Sequence, residues 1–124
     1  MICRLRTVLH LTQAFVCILR RLTNRLGKEF RRHKMRTADR VGLNMRKIVE
    51  NALASNASAV LLSHNHPSGI AIPSREDIET TERLAKALGA MDIILADHVV
   101  VADEDYVSMV QSRYYDPRQF SRLL

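Results

Sequence analysis

The sequence predicts an α/β fold, and three features carry that prediction. Apolar residues recur at helical spacing over residues 44–56, a short and nearly uniform apolar run occupies residues 57–64, and a second helical stripe over residues 74–89 leads into an Ile/Val-rich stretch at 93–101. Helix, strand, helix, strand is the order of a sheet covered by helices, an α/β sandwich. A chain of 124 residues has enough material for one hydrophobic core and little for a second.

The first 36 residues hold apolar clusters at 8–11 and 15–19, followed by RRLTNRLGKEFRRHK. They show no strand alternation and no turn chemistry before Gly27, and this segment could form a basic helix. Composition changes near Thr37, which divides a basic segment, 1–36, from a domain at 37–124. In that domain Met45, Ile48, Val49, Ala52 and Leu53 make one helical face, Asn44 is placed to cap its start, and Asn56 stands where the chain leaves the helix. Residues 57–64 are too short for a second helix and read as a buried strand. Pro67, Gly69 and Pro73 mark a loop. Behind Ser74 a second helix presents Ile78, Thr81, Leu84, Ala85 and Leu88 on one face, with acids in its first turn and Gly89 as its stop. Asp97 and His98 interrupt the next apolar stretch, which suggests strand, kink, strand; residues 106–110 form a last short strand after an acidic turn.

The hydrophobic fraction of 47% and charged fraction of 26% are those of an ordinary soluble protein. The net charge of +6 is unevenly placed. Residues 1–40 carry eleven Lys/Arg against two acids, a local +9, and residues 41–124 carry eight against eleven, a local −3. Such a basic third is suited either to non-specific contact with nucleic-acid phosphates or to a solvated arm. Both cysteines, Cys3 and Cys17, lie in it, and two thiols make no disulfide framework, so a reducing cytoplasm is expected. The apolar stretch at 8–19 is too short to span a bilayer and is followed by Arg20 and Arg21 rather than by a cleavage site, so neither membrane nor secretion is indicated. No HExxH, Walker or GxGxxG pattern occurs.

The chemistry lies in SHNHPSG, residues 63–69. Residues i and i+2 of a strand point the same way, so His64 and His66 can present both rings on one side of the strand end. By themselves they fit a strand-end pair as well as half of a metal site. Asp77 adds a carboxylate at the start of the second helix, which the loop can fold back over the rings. Two imidazoles and a carboxylate are the three-ligand set of a catalytic zinc, with a fourth position left for water whose pKa the charge lowers toward about 7. The competing reading is a capping box, with Ser74 and Asp77 satisfying each other's amides. The two readings differ only in where the carboxylate points.

HNHPSG, PSRED, ADHVVV and YVSM, in this order and spacing, resemble the JAMM/MPN (JAB) metalloprotease-like domain of the RadC family over about residues 37 to 109. The resemblance implies a three-layer α/β sandwich of cytidine-deaminase-like architecture, truncated here on its N-terminal side. It implies zinc held by His64, His66 and Asp77, Ser74 helping to bind an oxyanion, and hydrolysis of a peptide- or isopeptide-type bond. The family's general base is an upstream glutamate. Glu29 is the only acid before Asp39 and so the only upstream candidate, while Glu50 on the first helix is expected to face solvent. The N-terminal third departs from the family pattern, which suggests a misread or rearranged start, and the helix-hairpin-helix module of full RadC proteins is not seen in this sequence. The family's DNA-repair name and these departures leave two other readings: a DNA-associated module, or a catalytically impaired zinc-binding or interaction domain. Asp97 and His98 fit either partners of the zinc histidines or a structural hydrogen-bonded pair; His10 and His33 read as solvated.

Overall fold

A computed structural model describes residues 14–24, 27–36, 38–39, 42–66 and 68–124, with side chains from Asn44 onward except at position 67. Cys3, His10, the apolar cluster at 8–11 and the junction at Thr37 lie outside the described residues.

Helix α1 spans Met45–Ala54. Its start is fixed by Asn44, whose side chain accepts from the Lys47 amide, and its end by Asn56, which leaves the helix at φ +50°. Ile48 and Ala52 are buried, whereas Leu53 at the edge of the stripe is exposed. Glu50 faces outward and pairs with Arg46 at 2.8 Å, in line with its expected exposure. Helix α2 spans Arg75–Gly89 and buries Thr81, Leu84, Ala85 and Leu88, the predicted face.

Five strands form one sheet: β1 (Ala14–Asn24), β2 (Gly27–Arg36), β5 (Ala59–Asn65), β6 (Ile94–Ala102) and β7 (Asp105–Ser108), in the order β2-β1-β5-β6-β7. Two-residue strands β3 (Ala38–Asp39) and β4 (Gly42–Leu43) pair separately. A basic helix in the first third is therefore overturned. β1 and β2 are an antiparallel hairpin in register from Phe15 against Arg36 to Asn24 against Gly27, and β1 also pairs with β5, from Ala14 against His64 to Leu19 against Ala59. Without β1, the outer edge of β5 would have a row of unpaired N–H and C=O groups. Tertiary pairing, helped by Phe15, Val16 and Ile18 as good strand formers, outweighs the absence of alternation.

β5 and β6 run parallel, and α2 makes the crossover between them. In such a unit the C-terminal end of one strand faces the N-terminus of the next helix, the usual place for a ligand in open α/β sheets. The kink expected at Asp97 is instead a bulge within a continuous strand. Val60 pairs with Leu95 and Leu61 with Asp97, so Ala96 is the extra residue. That one residue resets the alternation: Leu95, His98, Val100 and Ala102 are buried while Asp97 is only half-buried.

One core joins both helices to the sheet through Ile48, Ala52, Val60, Leu62, Leu84, Leu88, Leu95, Met109 and Tyr115. Each large apolar side chain buried there stabilises the fold by about 1.5–3 kcal/mol. Gly89, expected to stop α2 by its backbone freedom, has another role. It is the last helical residue, followed by Ala90 in ordinary right-handed conformation (φ −61°). A Cβ at position 89 would run into the Phe120 carbonyl oxygen, so glycine is needed for the close crossing of the C-terminal segment. That segment holds a 3-10 turn at Pro117–Gln119, and Phe120 stacks on Tyr115, whose hydroxyl donates to the Leu95 carbonyl at 2.8 Å. Among the described residues, no helix is long and apolar enough to cross a membrane.

Candidate metal centre

His64 lies at the end of β5 and His66 directly follows its last residue, while Asp77 occupies the third position of α2. The chain holds His66 in place through its amide, which donates to the Val101 carbonyl at 2.7 Å, and through a tight turn in which Gly69 takes φ +79°. These elements bring three side chains together. His64 Nε2 lies 3.2 Å from Asp77 Oδ1, and His66 Nε2 lies 3.0 Å from Asp77 Oδ2. One ligand atom from each residue lies within 4.8 Å of the others.

The two readings of Asp77 turn out to be compatible. Ser74 Oγ accepts from the Asp77 amide at 3.0 Å, and Asp77 Oδ2 accepts from the Ser74 amide at 2.7 Å, a complete capping box. The same carboxylate, held rigid by that box, turns one oxygen toward each imidazole. Burial pushes the Asp77 carboxyl up, but a positive charge at its contact with His64, together with the bonds from Ser74, outweighs this and holds it well below the ordinary carboxylate range. It is an anion at neutral pH.

Proton placement tests whether this set suits a cation. His66 Nδ1 lies 3.1 Å from the Ile70 carbonyl, which can only accept, so Nδ1 carries the hydrogen and Nε2 presents a lone pair to Asp77. Lone pair and carboxylate repel unless a positive centre stands between them, either a proton or a metal ion. The three ligand atoms lie within 4.8 Å of one another, close enough to share a single ion. The donor set therefore fits a divalent ion.

Behind the ligands lies a buried polar chain. His98, fully buried, places Nε2 2.6 Å from His64 Nδ1 and Nδ1 2.6 Å from Thr81 Oγ1. Burial, followed by the neighbouring His64, lowers the His98 pKa to about 3, so its ring is neutral. Of the pair that the sequence leaves undecided, His98 is the one in contact with His64. Asp97 serves the fold, its carboxylate accepting from the amides of His98 (2.7 Å) and Val110 (3.1 Å) and from the Ser108 hydroxyl (2.5 Å). Thr81, the far end of this polar chain, is a residue that sequence reasoning does not single out as part of the site. Its only signal is a hydroxyl at the centre of an otherwise apolar helical face.

Glu29 is placed by its backbone alone. It pairs with Leu22 on β1, eight positions along from Ala14, the partner of His64. At about 3.3 Å per residue that is roughly 26 Å along the strand. This register does not bring Glu29 to the end of β5 that carries His64. His33 is likewise placed on β2 by backbone only.

Comparison with known proteins bears on the same region. The chain matches the family model described as RadC-like JAB domain over residues 3–114. It belongs to the RadC-like JAB domain family. The match begins near the start of the chain, so the first third, read from the sequence as foreign to the family, falls inside it, consistent with the strands found there. Similar proteins include the UPF0758 proteins of Cellvibrio japonicus, 49% identical over 75 residues, and of Pseudomonas syringae pv. tomato, 52% identical over 66 residues. These alignments cover 60% and 53% of this chain but only 34% and 30% of the relatives, so the chain spans about a third of their length.

Proposed function

We propose that this RadC-like JAB domain is a zinc-dependent hydrolase of amide-type bonds, with His64, His66 and Asp77 as the metal ligands. The observation behind this reading is the convergence of two imidazoles and a carboxylate fixed by a capping box. When bound there, zinc would supply Lewis acidity to a water and to a substrate carbonyl. Among the common divalent ions, two imidazoles and one carboxylate favour zinc over the all-oxygen preference of magnesium and calcium.

The chain's own residues do the rest. The capping box holds the Asp77 carboxylate, and β5 with the His66–Ile70 contact holds the rings, so little ordering is left to occur on binding. Ser74 Oγ takes the Asp77 amide with a lone pair, which leaves its hydrogen free to donate to oxygen charge developing on a substrate carbonyl.

The experiment is metal analysis of the purified chain combined with turnover on peptide and isopeptide substrates. About one zinc per chain, lost in His66→Ala, together with turnover lost in both His66→Ala and Ser74→Ala, is expected. Zinc retained by wild type without turnover would favour a metal-holding interaction domain, and no zinc would end the proposal. A second reading rests on the local +9 of residues 1–40, which suits non-specific phosphate contact. Because β1 and β2 belong to the sheet, its test is substitution of Arg20, Arg21, Arg31 and Arg32 by Gln rather than deletion. DNA retention that falls with salt and is lost in that variant supports it, and retention unaffected by the substitutions removes it.

A further inference from the structure

We infer that Thr81 and His98 are positioning residues that lock His64 in the tautomer that leaves its Nε2 lone pair facing the metal position. This rests on the metal reading above and deepens it.

Counting hydrogens fixes the direction of each bond. Thr81 Oγ1 lies 2.5 Å from the Asp77 carbonyl oxygen, 2.6 Å from His98 Nδ1 and 3.7 Å from Met109 Sδ. The hydroxyl has one hydrogen. A carbonyl at 2.5 Å can only accept, so that hydrogen points to Asp77, and the threonine oxygen must then accept from His98 Nδ1–H. A neutral imidazole with its hydrogen on Nδ1 has only a lone pair on Nε2. At 2.6 Å from His64 Nδ1 this lone pair requires a hydrogen on His64. A neutral His64 protonated on Nδ1 has its remaining lone pair on Nε2, the atom 3.2 Å from Asp77 Oδ1.

The chain of bonds thus begins at the main-chain carbonyl of Asp77 and returns to the side chain of the same residue. Every member but Asp77 is withdrawn from water: Thr81 and His98 are 0% exposed and His64 8%. With no water to exchange bonds, reversing any one link leaves a buried polar atom unpaired, at a cost of about 1–3 kcal/mol. His66 achieves the same tautomer with a single carbonyl. His64, deeper in the sheet, needs two side chains because its Nδ1 faces β6 rather than a free loop carbonyl.

The test uses the full chain with zinc as the probe, in competition with a chromophoric chelator. Thr81→Val keeps the shape and removes the hydroxyl; it is expected to weaken zinc binding about 10–100-fold, with Thr81→Ser restoring it to within a few-fold. Nitrogen-15 NMR of chelator-stripped protein at mildly alkaline pH reads the tautomer independently of metal. Wild type is expected to show His64 protonated on Nδ1, with Thr81→Val moving population to Nε2. His64 protonated on Nε2 in wild type overturns the proposal. If wild type binds no zinc yet shows the Nδ1 tautomer shifting in Thr81→Val, the lock stands and the metal reading fails. Zinc bound as tightly by Thr81→Val as by wild type overturns the lock and leaves the metal reading standing. The wild-type spectrum is informative even if the variant does not fold.

Discussion

His98 Nε2 stands 2.6 Å from His64 Nδ1, joining strand β6 to the C-terminal end of strand β5 at a point where both rings are buried. The contact exists because of the bulge at Ala96. Strict alternation from Leu95 would turn Asp97 inward and His98 outward, and the site histidine would have no partner behind it.

Zinc should stabilise the folded chain, because a ligand that binds only the native state adds about 2.7 kcal/mol at a concentration 100 times its Kd. Thermal unfolding with and without zinc measures this. Asp77→Asn keeps an oxygen for the Ser74 amide while removing the charge, so it should retain the fold and lose the zinc-induced rise in Tm. A rise of wild-type size in Asp77→Asn would remove the carboxylate from the ligand set.

Acid should destabilise the chelator-treated protein in two stages of the same sign. His98 falls from an ordinary 6.5 to about 3 on folding, so the unfolded chain takes up its proton first and stability drops as pH falls from 6.5 toward 3. The contribution is on the order of a few kcal/mol. Asp77, depressed below its ordinary 3.8, adds a further loss that begins near that pH and continues below it. Denaturant unfolding across about pH 3–8 checks this, and His98→Phe should flatten the limb below 6.5. An unchanged limb in that variant would assign it to other groups.

Asp97→Ala should cost about 1–3 kcal/mol and loosen β7. Its carboxylate takes the Ser108 hydroxyl and the Val110 amide as well as the His98 amide, so truncation leaves all three donors to find other partners. Hydrogen exchange should show the Val110 amide losing protection before the core of β5. Protection equal to wild type would mean that strand pairing alone holds this end.

Gly89→Ala should destabilise, against the general trend. Alanine inside a helix is favoured over glycine by about 1 kcal/mol, but here the added methyl runs into the Phe120 carbonyl oxygen. Displacing that backbone breaks the Tyr115–Phe120 stack and costs about 1–3 kcal/mol. A gain in Tm would show that the C-terminal segment yields freely.

Local signals in the sequence are legible where one short segment contains its own instructions. Asn44, Asn56, Ser74 and the two apolar stripes set both helices, because capping and helical spacing act within a few residues. His64, His66 and Asp77 are legible as a group because strand periodicity puts the rings together and the crossover returns the helix start to them. The hairpin of β1 and β2 is not legible, since its strands are defined by pairing with β5 rather than by alternation of their own. Gly89 invites the commoner reason for a glycine at a helix end, when the actual one is a neighbour 31 positions away.

By itself, then, the sequence determined the α/β order, the helix limits and the three residues of the candidate metal cluster, all of which depend on short-range geometry. Tertiary structure alone decided that Asp77 both caps α2 and faces the rings, that a one-residue bulge turns His98 inward, and that Thr81 directs its hydrogen bond. These depend on which atoms meet across elements, and in a buried, water-free contact the number of available hydrogens leaves only one arrangement that satisfies them all.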